Sequence, residues 1–246
     1  MNISIIGAGN IGATLARKLA AAGHRIRLAN SRGPDSIQAL ASEVGATAVT
    51  REAAVQDAEV IILAIPFDKH PLMTSLLNAA PSEAIIIDTS NYYPFRDGDI
   101  AALRNGQTES DWASEQLHRP VIKAWNAVLA ATLADKGLPA DQPGRLAIPV
   151  AGDDPQARAV AMSLVEATGF DAVDAGLLND SWRQQPGTPA YCTELTKPAL
   201  IAALQAADRQ RAPLNRDALI KEFMSAGELT HEAIVARNRA VTARTE

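Results

Sequence analysis

The sequence predicts an α/β protein: a doubly wound, parallel Rossmann sheet with helices on both faces and a small helical C-terminal part. Three observations lead there. Short β-branched runs alternate with longer Ala/Leu-rich stretches, several of the runs are apolar without a break, and a glycine-rich turn closes the first. Unbroken runs such as Val60-Ile61-Ile62-Leu63 and Ile85-Ile86-Ile87 suit strands buried on both faces, whereas half-exposed antiparallel strands alternate. Strand–helix alternation in turn builds right-handed βαβ units. A length of 246 residues allows one large domain, or one with an appendage.

Strands are expected at residues 2–6, 25–29, 46–49, 60–64, 84–88, 121–124, 145–150 and 171–174. Helices are expected between them at 11–22, 36–44, 51–54, 70–78, 110–118 and 155–168. Gly23 stands where the first helix must stop. Pro155, behind Asp153-Asp154, reads as the first turn of a helix with an acidic cap. After about residue 175 the character changes, and 195–210, 217–224 and 228–243 read as helices with no strand following. The chain thus divides into a dinucleotide-binding domain, 1–180, and a C-terminal helical segment, 181–246, assigned to packing or dimerisation. Leu229, Ala233 and Val241 stand among charged residues in the last helix, a partly amphipathic pattern.

Composition narrows the function. A net charge of -5 argues against a nucleic-acid partner, which calls for a basic patch. No apolar run approaches the roughly 18–20 residues that span a bilayer, and no leader pattern opens the chain, so no membrane partner and a cytoplasmic setting are expected. The single cysteine, Cys192, excludes an intramolecular disulfide and fits a reducing compartment. His24, His70, His118 and His231 are dispersed with no i,i+4 pair, so no metal site is expected.

The strongest motif is Gly7-Ala8-Gly9-Asn10-Ile11-Gly12, placed between the first strand and the first helix. A dinucleotide turn requires this arrangement: Gly7 for the tight turn, Gly9 for backbone approach to a pyrophosphate, and Gly12 for close helix–strand packing. The helix N-terminus then offers free N–H groups and a favourable dipole to the phosphates. An NAD site would place Asp or Glu at the end of the second strand, but this chain reads Asn30-Ser31-Arg32-Gly33. A hydroxyl and a guanidinium suit a 2′-phosphate, so NADP(H) is the expected cofactor.

Ligands on open parallel sheets lie beyond the carboxyl ends of the strands. Ile65 and Pro66, at the end of the fourth strand, would wall the nicotinamide, although Pro66 also reads simply as a strand terminator. Lys123 and Asn126 offer donors, and Lys123 also reads as a solvated surface lysine. Trp125 and Trp182 read either as ring-stacking or as core residues. His70 follows the same strand end and is a candidate to reach the cofactor. Asp153-Asp154 is better read as helix capping than as a metal pair, and Cys192 has no His near it in sequence to make a nucleophile.

Together, Gly7-Ala8-Gly9-Asn10-Ile11-Gly12, Ser31-Arg32, Ile65-Pro66, Gly152-Asp153-Asp154 and Asp174-Ala175-Gly176-Leu177-Leu178 make the chain resemble the NADP oxidoreductases that depend on the deazaflavin coenzyme F420. The resemblance runs over about residues 1–180. It implies hydride passed between NADPH and a flavin or deazaflavin ring, or another small-molecule acceptor. By position it implies Ala8, Gly9, Asn10 and Ile11 at the pyrophosphate, Ser31 and Arg32 at the 2′-phosphate, and Pro66 near the nicotinamide. Similar domains occur in the ferric reductases of six-transmembrane proteins and, more distantly, in pyrroline-carboxylate and imine reductases. The chain departs from the family in Lys123-Ala124-Trp125-Asn126, in the 181–189 segment and in its longer tail, which bears on the acceptor. Hydride transfer between two rings asks mainly for positioning, so no catalytic side chain is assigned and no essential acid or base is expected. The alternatives are an imine or carbonyl reductase with Lys123 as proton donor, and a non-catalytic NADPH-binding module. A homodimer is expected.

Overall fold

A computed structural model describes residues 1–243; the last three residues of the expected C-terminal segment lie outside the described residues. Eight strands run β1 Asn2–Ile6, β2 Arg25–Ala29, β3 Thr47–Ala48, β4 Val60–Leu63, β5 Ile85–Asp88, β6 Val121–Lys123, β7 Ala147–Val150 and β8 Asp171–Asp174 among the described residues. The helices are α1 Asn10–Ala21, α2 Gln38–Val44, α3 Arg51–Val55, α4 Thr74–Asn78, α5 Pro94–Asp97, α6 Ala101–Arg104 and α7 Glu109–Leu117. They continue with α8 Ala130–Asp135, α9 Pro155–Ala167, α10 Lys197–Gln205, α11 Arg211–Ser225 and α12 His231–Ala243.

Six strands form a parallel sheet in the order β3-β2-β1-β4-β5-β6, the order of the dinucleotide-binding folds. The unbroken apolar runs explain its two covered faces. On β4, Val60 and Ile62 join Leu15 and Leu19 of α1 and Leu164 of α9 in one cluster. Ile61 and Leu63 instead meet Val55 of α3, Leu77 of α4 and Leu117 of α7 on the other face. Each such side chain contributes about 1.5–3 kcal/mol on burial, so a polar substitution anywhere in β4 exposes a gap on one face or the other.

The sheet departs from the all-parallel expectation at one edge. β7 and β8 pair with each other in parallel, but β6 meets β7 antiparallel through the single Lys123–Ala151 bridge. Gly152 allows that junction, since a Cβ there would lie 2.2 Å from the Ile122 side chain. The helix expected at 70–78 begins instead as a 3-10 segment, Phe67–Met73, with Pro71 inside it. Proline lacks the N–H that an α-helical turn needs, so the α-helix forms only from Thr74.

Leu200, Ala203 and Leu204 of α10 pack with Val173 of β8 and Ala190. Further along, the Glu194 carboxylate accepts hydrogen bonds from Thr132 Oγ1 at 2.7 Å and Lys136 Nζ at 2.8 Å, and pairs with His231 Nε2 at 2.6 Å. That cluster ties α12 back to α8.

Candidate active site

The turn after β1 is fixed by backbone geometry. Gly7 has φ +117°, and a Cβ there would stand 2.1 Å from the Ala64 carbonyl oxygen. A Cβ on Gly12 would stand 1.9 Å from the Gly7 oxygen, so both positions need glycine for packing. Nothing lies within 4 Å of a Cβ at Gly9, which leaves that backbone open to approach. Gly9 is also the N-cap of α1, with no side chain capping the helix and no acidic residue in its first turn. A pyrophosphate fits this turn, which presents free N–H groups and no negative charge.

Asn30 shapes the next turn. Its Oδ1 accepts from the Arg32 N–H at 3.0 Å, and its Nδ2 donates to Ser36 Oγ at 2.9 Å. Ser31 and Arg32 are thereby held at the surface, exposed beyond β2. Ala8 and Ile11 are half-buried and Asn10 is exposed on the same edge. Ile65 is half-buried and Pro66 exposed at the end of β4.

Beneath that edge lies a cluster that the motifs do not single out as a unit. Asp88 ends β5, Lys123 ends β6 and His70 follows β4; all three are fully buried. Asp88 Oδ2 accepts from Lys123 Nζ at 2.7 Å, and its Oδ1 pairs with His70 Nε2 at 3.1 Å and accepts from the Ser90 N–H at 3.0 Å. Lys123 Nζ also donates to the Ser90 carbonyl at 2.5 Å. His70 Nδ1 faces the Phe67 carbonyl at 2.7 Å, so both ring nitrogens face oxygens that can only accept. Burial on its own would raise the Asp88 carboxyl, but the Lys123 and His70 charges and hydrogen bonds outweigh it and hold the group well below the usual carboxylate range. The readings of Lys123 as a solvated surface lysine or as a proton donor near the substrate are both corrected here. It is a buried ion-pair partner that closes the carboxyl edge of the sheet.

The other candidates are placed as follows. Trp125 is core, and Asn126 is buried in a network in which its Nδ2 donates to Asn91 Oδ1 and the Gln184 carbonyl. Asp154 caps α9 by accepting from the Gln156 and Ala157 N–H groups, while Asp153 accepts from the Leu178 N–H at 2.9 Å. Burial pushes the Cys192 thiol up to about 12, far from a reactive thiolate.

Beyond β5 opens a cavity of about 410 Å³, whose lining includes Tyr92, Thr108, Glu109, Trp182, Arg209 and Arg216. This size falls within the roughly 300–1,000 Å³ of small-molecule sites. The Arg209 guanidinium lies 5.6 Å from the Trp182 ring centre, and Arg216 lies 5.7 Å from that of Tyr92. Tyr92 in turn sits 5.6 Å, centre to centre, from Phe67, which follows Pro66 in the chain. The buried Tyr92 and Phe67 rings thus stand between the cavity and Pro66. Glu109 and the two arginines escaped the sequence reading because no local motif carries them.

Residues 2–92 match the family of NADP oxidoreductases, coenzyme F420-dependent. Protein YjhV of Escherichia coli K12 is 42% identical over 105 residues, 42% of this chain and 77% of that protein. The crystal structure of protein SMa0349 from Sinorhizobium meliloti is 31% identical, with a TM-score of 0.69 over 80% of this chain and 96% of that one. A structure from Arthrobacter sp. FB24, named for F420-dependent NADP reductase, has a TM-score of 0.60 at 20% identity and covers 92% of this chain and 95% of that one. At that identity the likeness is one of fold. With the glycine turn, the six-stranded Rossmann sheet and a 31% identical relative matched along nearly its whole length, the chain belongs to the family of coenzyme F420-dependent NADP oxidoreductases.

Proposed function

We propose that this oxidoreductase passes a hydride between NADP(H) and a planar, nitrogen-containing ring of the flavin or deazaflavin kind. The observation that carries this reading is the open glycine turn at the carboxyl edge of the sheet, where Gly7 and Gly12 have no room for a Cβ and the Gly9 backbone is clear, with Ser31 and Arg32 exposed beyond β2. In this reading the backbone of Ala8, Gly9, Asn10 and Ile11 holds the pyrophosphate. Ser31 and Arg32 hold the 2′-phosphate, and Ile65 and Pro66 wall the nicotinamide. NADPH supplies the hydride, and the protein supplies the alignment of the two rings.

Calorimetric titration with NADPH and NADH tests the cofactor half. NADPH should bind at least tenfold tighter, a difference of about 1.4 kcal/mol, and Arg32→Ala should remove the preference. Equal affinities in the parent protein would overturn the assignment of Ser31 and Arg32. An acceptor panel of 5-deazariboflavin, FMN and a cyclic imine tests the other half. The alternative reading, an imine or carbonyl reductase, would turn over the imine and leave both rings unreduced.

A further inference from the structure

The cavity beyond β5 is set apart from the nucleotide edge. The buried Tyr92 and Phe67 rings stand between it and Pro66, and no residue of the glycine turn lines it. Its walls combine the apolar surfaces of Leu103, Trp182 and Pro186 with the side chains of Arg209 and Arg216.

Arg216 marks the cavity as a binding site. Its side chain is only 13% exposed, yet its one hydrogen bond among the described residues runs from Nε to Asp217 Oδ1 at 2.8 Å, and Asp217 is itself 62% exposed. Neither Nη group has a partner among the described residues. The buried Arg145 is satisfied quite differently. Its Nη1 reaches Glu166 and Asp171, its Nη2 the Glu166 carbonyl, and its Nε the Leu138 carbonyl. A guanidinium kept for structure fills its donors in that way, because a desolvated charge without partners is unfavourable. Gln185 also lines the cavity, and its Nε2 is buried with no partner among the described residues.

Glu109, the first residue of α7, supplies the remaining acid, and it is only 5% exposed. Its Oε2 accepts from the Tyr92 N–H at 3.1 Å, and no second hydrogen bond reaches the carboxyl group among the described residues. Lys123 of β6 and Arg216 of α11 favour its anion and Asp88 of β5 disfavours it, but burial outweighs them and pushes the carboxyl up to about 7. The other charged groups of the lining are Arg104, Arg209 and Arg216 against Asp99 and Asp217. With Glu109 protonated the lining therefore carries one net positive charge, and with Glu109 ionised it carries none.

We propose that this cavity binds a small monocarboxylate with an aromatic body, its carboxylate on the two Nη groups of Arg216 and its ring against Trp182 and Leu103. The planar guanidinium fork matches a carboxylate with two parallel hydrogen bonds. One negative charge on the ligand balances the one positive charge of the lining, whereas inorganic phosphate brings more charge and nothing to cover the apolar walls. The site stands apart from hydride transfer, so its test needs no turnover.

The probe is 3-phenylpropionate, titrated calorimetrically into the full chain at pH 6, with neutral 3-phenylpropionamide and inorganic phosphate as comparisons. The acid should bind at one site, the amide roughly tenfold more weakly or worse, and phosphate should leave the acid in place. Arg216→Met keeps an apolar stem beside Tyr92 and should cost roughly tenfold or more, and Arg216→Lys, which keeps the charge without the fork, should lose part of that. A cooperative thermal transition checks that each variant is folded. The parent's affinity for the acid should fall as pH rises through about 7, with protons taken up on binding above pH 7, and Glu109→Gln should remove that dependence. Saturating NADPH should leave the affinity unchanged. No binding of the acid, equal binding of acid and amide, or displacement by phosphate overturns the proposal. Displacement by NADPH places the ligand in the nucleotide site and overturns it as well, as does either Arg216 variant that binds as tightly as the parent. Should neither Arg216 variant fold, the comparisons of acid, amide, phosphate and NADPH on the parent decide alone.

Discussion

Removing the Asp88 charge should unfold the carboxyl edge of the sheet more than any surface change of the same size. Asp88→Asn keeps the side-chain volume but leaves Lys123 Nζ, fully buried, facing an amide where it had a carboxylate at 2.7 Å. His70 Nε2, also fully buried, loses its charged partner at 3.1 Å. Breaking a buried pair by removing one member costs about 3–5 kcal/mol, because the remaining charge has no compensation. For a chain of this size that corresponds to a melting-temperature drop of roughly 6–20 °C. Urea unfolding at pH 7 measures the loss directly. The double variant Asp88→Asn/Lys123→Met should recover part of it, with a coupling energy of about 0.5–3 kcal/mol. The pH sign is also fixed. The Asp88 carboxyl is held below its ordinary range in the fold, so its contribution is fully present above the unfolded pKa, roughly 3.9, and is lost only as pH falls below that. The parent–variant difference should therefore hold steady between pH 6 and 8. A loss under about 1 kcal/mol, or a strictly additive double variant, would refute the reading of this cluster as a buried, mutually compensated set of charges.

Gly12→Ala should weaken NADPH binding at least tenfold by calorimetry and lower stability by about 1–3 kcal/mol, because its Cβ would meet the Gly7 oxygen at 1.9 Å and push α1 off the turn. Asp154→Ala removes the acceptor for the Gln156 N–H at 2.7 Å and the Ala157 N–H at 3.2 Å. It should lower stability by about 1 kcal/mol in thermal unfolding and leave NADPH affinity unchanged, since the Asp154 cap touches none of the glycine-turn residues. Glu109→Gln should change stability with pH in the opposite sense to Asp88. With the folded carboxyl raised to about 7, the parent loses stability as pH rises from near 4.3 through 7. The Gln variant should therefore gain about 3 kcal/mol on the parent between pH 5 and pH 8 in urea titrations.

The sheet was legible because its signal is local. Apolar runs such as Val60–Leu63 and Ile85–Asp88 are short, unbroken and bounded, and all eight expected strands form. What escaped was non-local or small. The antiparallel step from β6 to β7 depends on Gly152 and Ile122 meeting across the edge, which periodicity cannot report. α5, α6 and α8 are four to six residues long and carry too few turns for a helical period to register. The expected 217–224 helix begins instead at Arg211, with Pro213 tolerated in its first turn. The site divides along the same line. The phosphate turn is six consecutive residues, whereas His70, Asp88 and Lys123 are brought together from 18 and 35 positions apart. Trp125, left open between core and ring-stacking, is settled as core by its near-complete burial, while Trp182 lines the cavity.

The two buried carboxyl groups show why the acid–base chemistry could not be read from residue type alone. Asp88 and Glu109 sit on the same edge, and each comes under the influence of Lys123. For Asp88 that influence is a direct contact, reinforced by His70 and a backbone N–H, so the charges and hydrogen bonds win over burial. For Glu109 Lys123 acts without any hydrogen bond to the carboxyl, and burial wins. Direct pairing thus turns one acid into a structural anchor for the strand ends, and its absence leaves the other to titrate near neutral pH. Lys123 contributes to both outcomes, as clamp for Asp88 and as distant counter-charge for Glu109. A Lys123→Met change should therefore do more than weaken the fold: it should push the Glu109 carboxyl higher still, and an infrared titration of the protonated carboxyl band would register that shift even where stability alone could not separate the two effects.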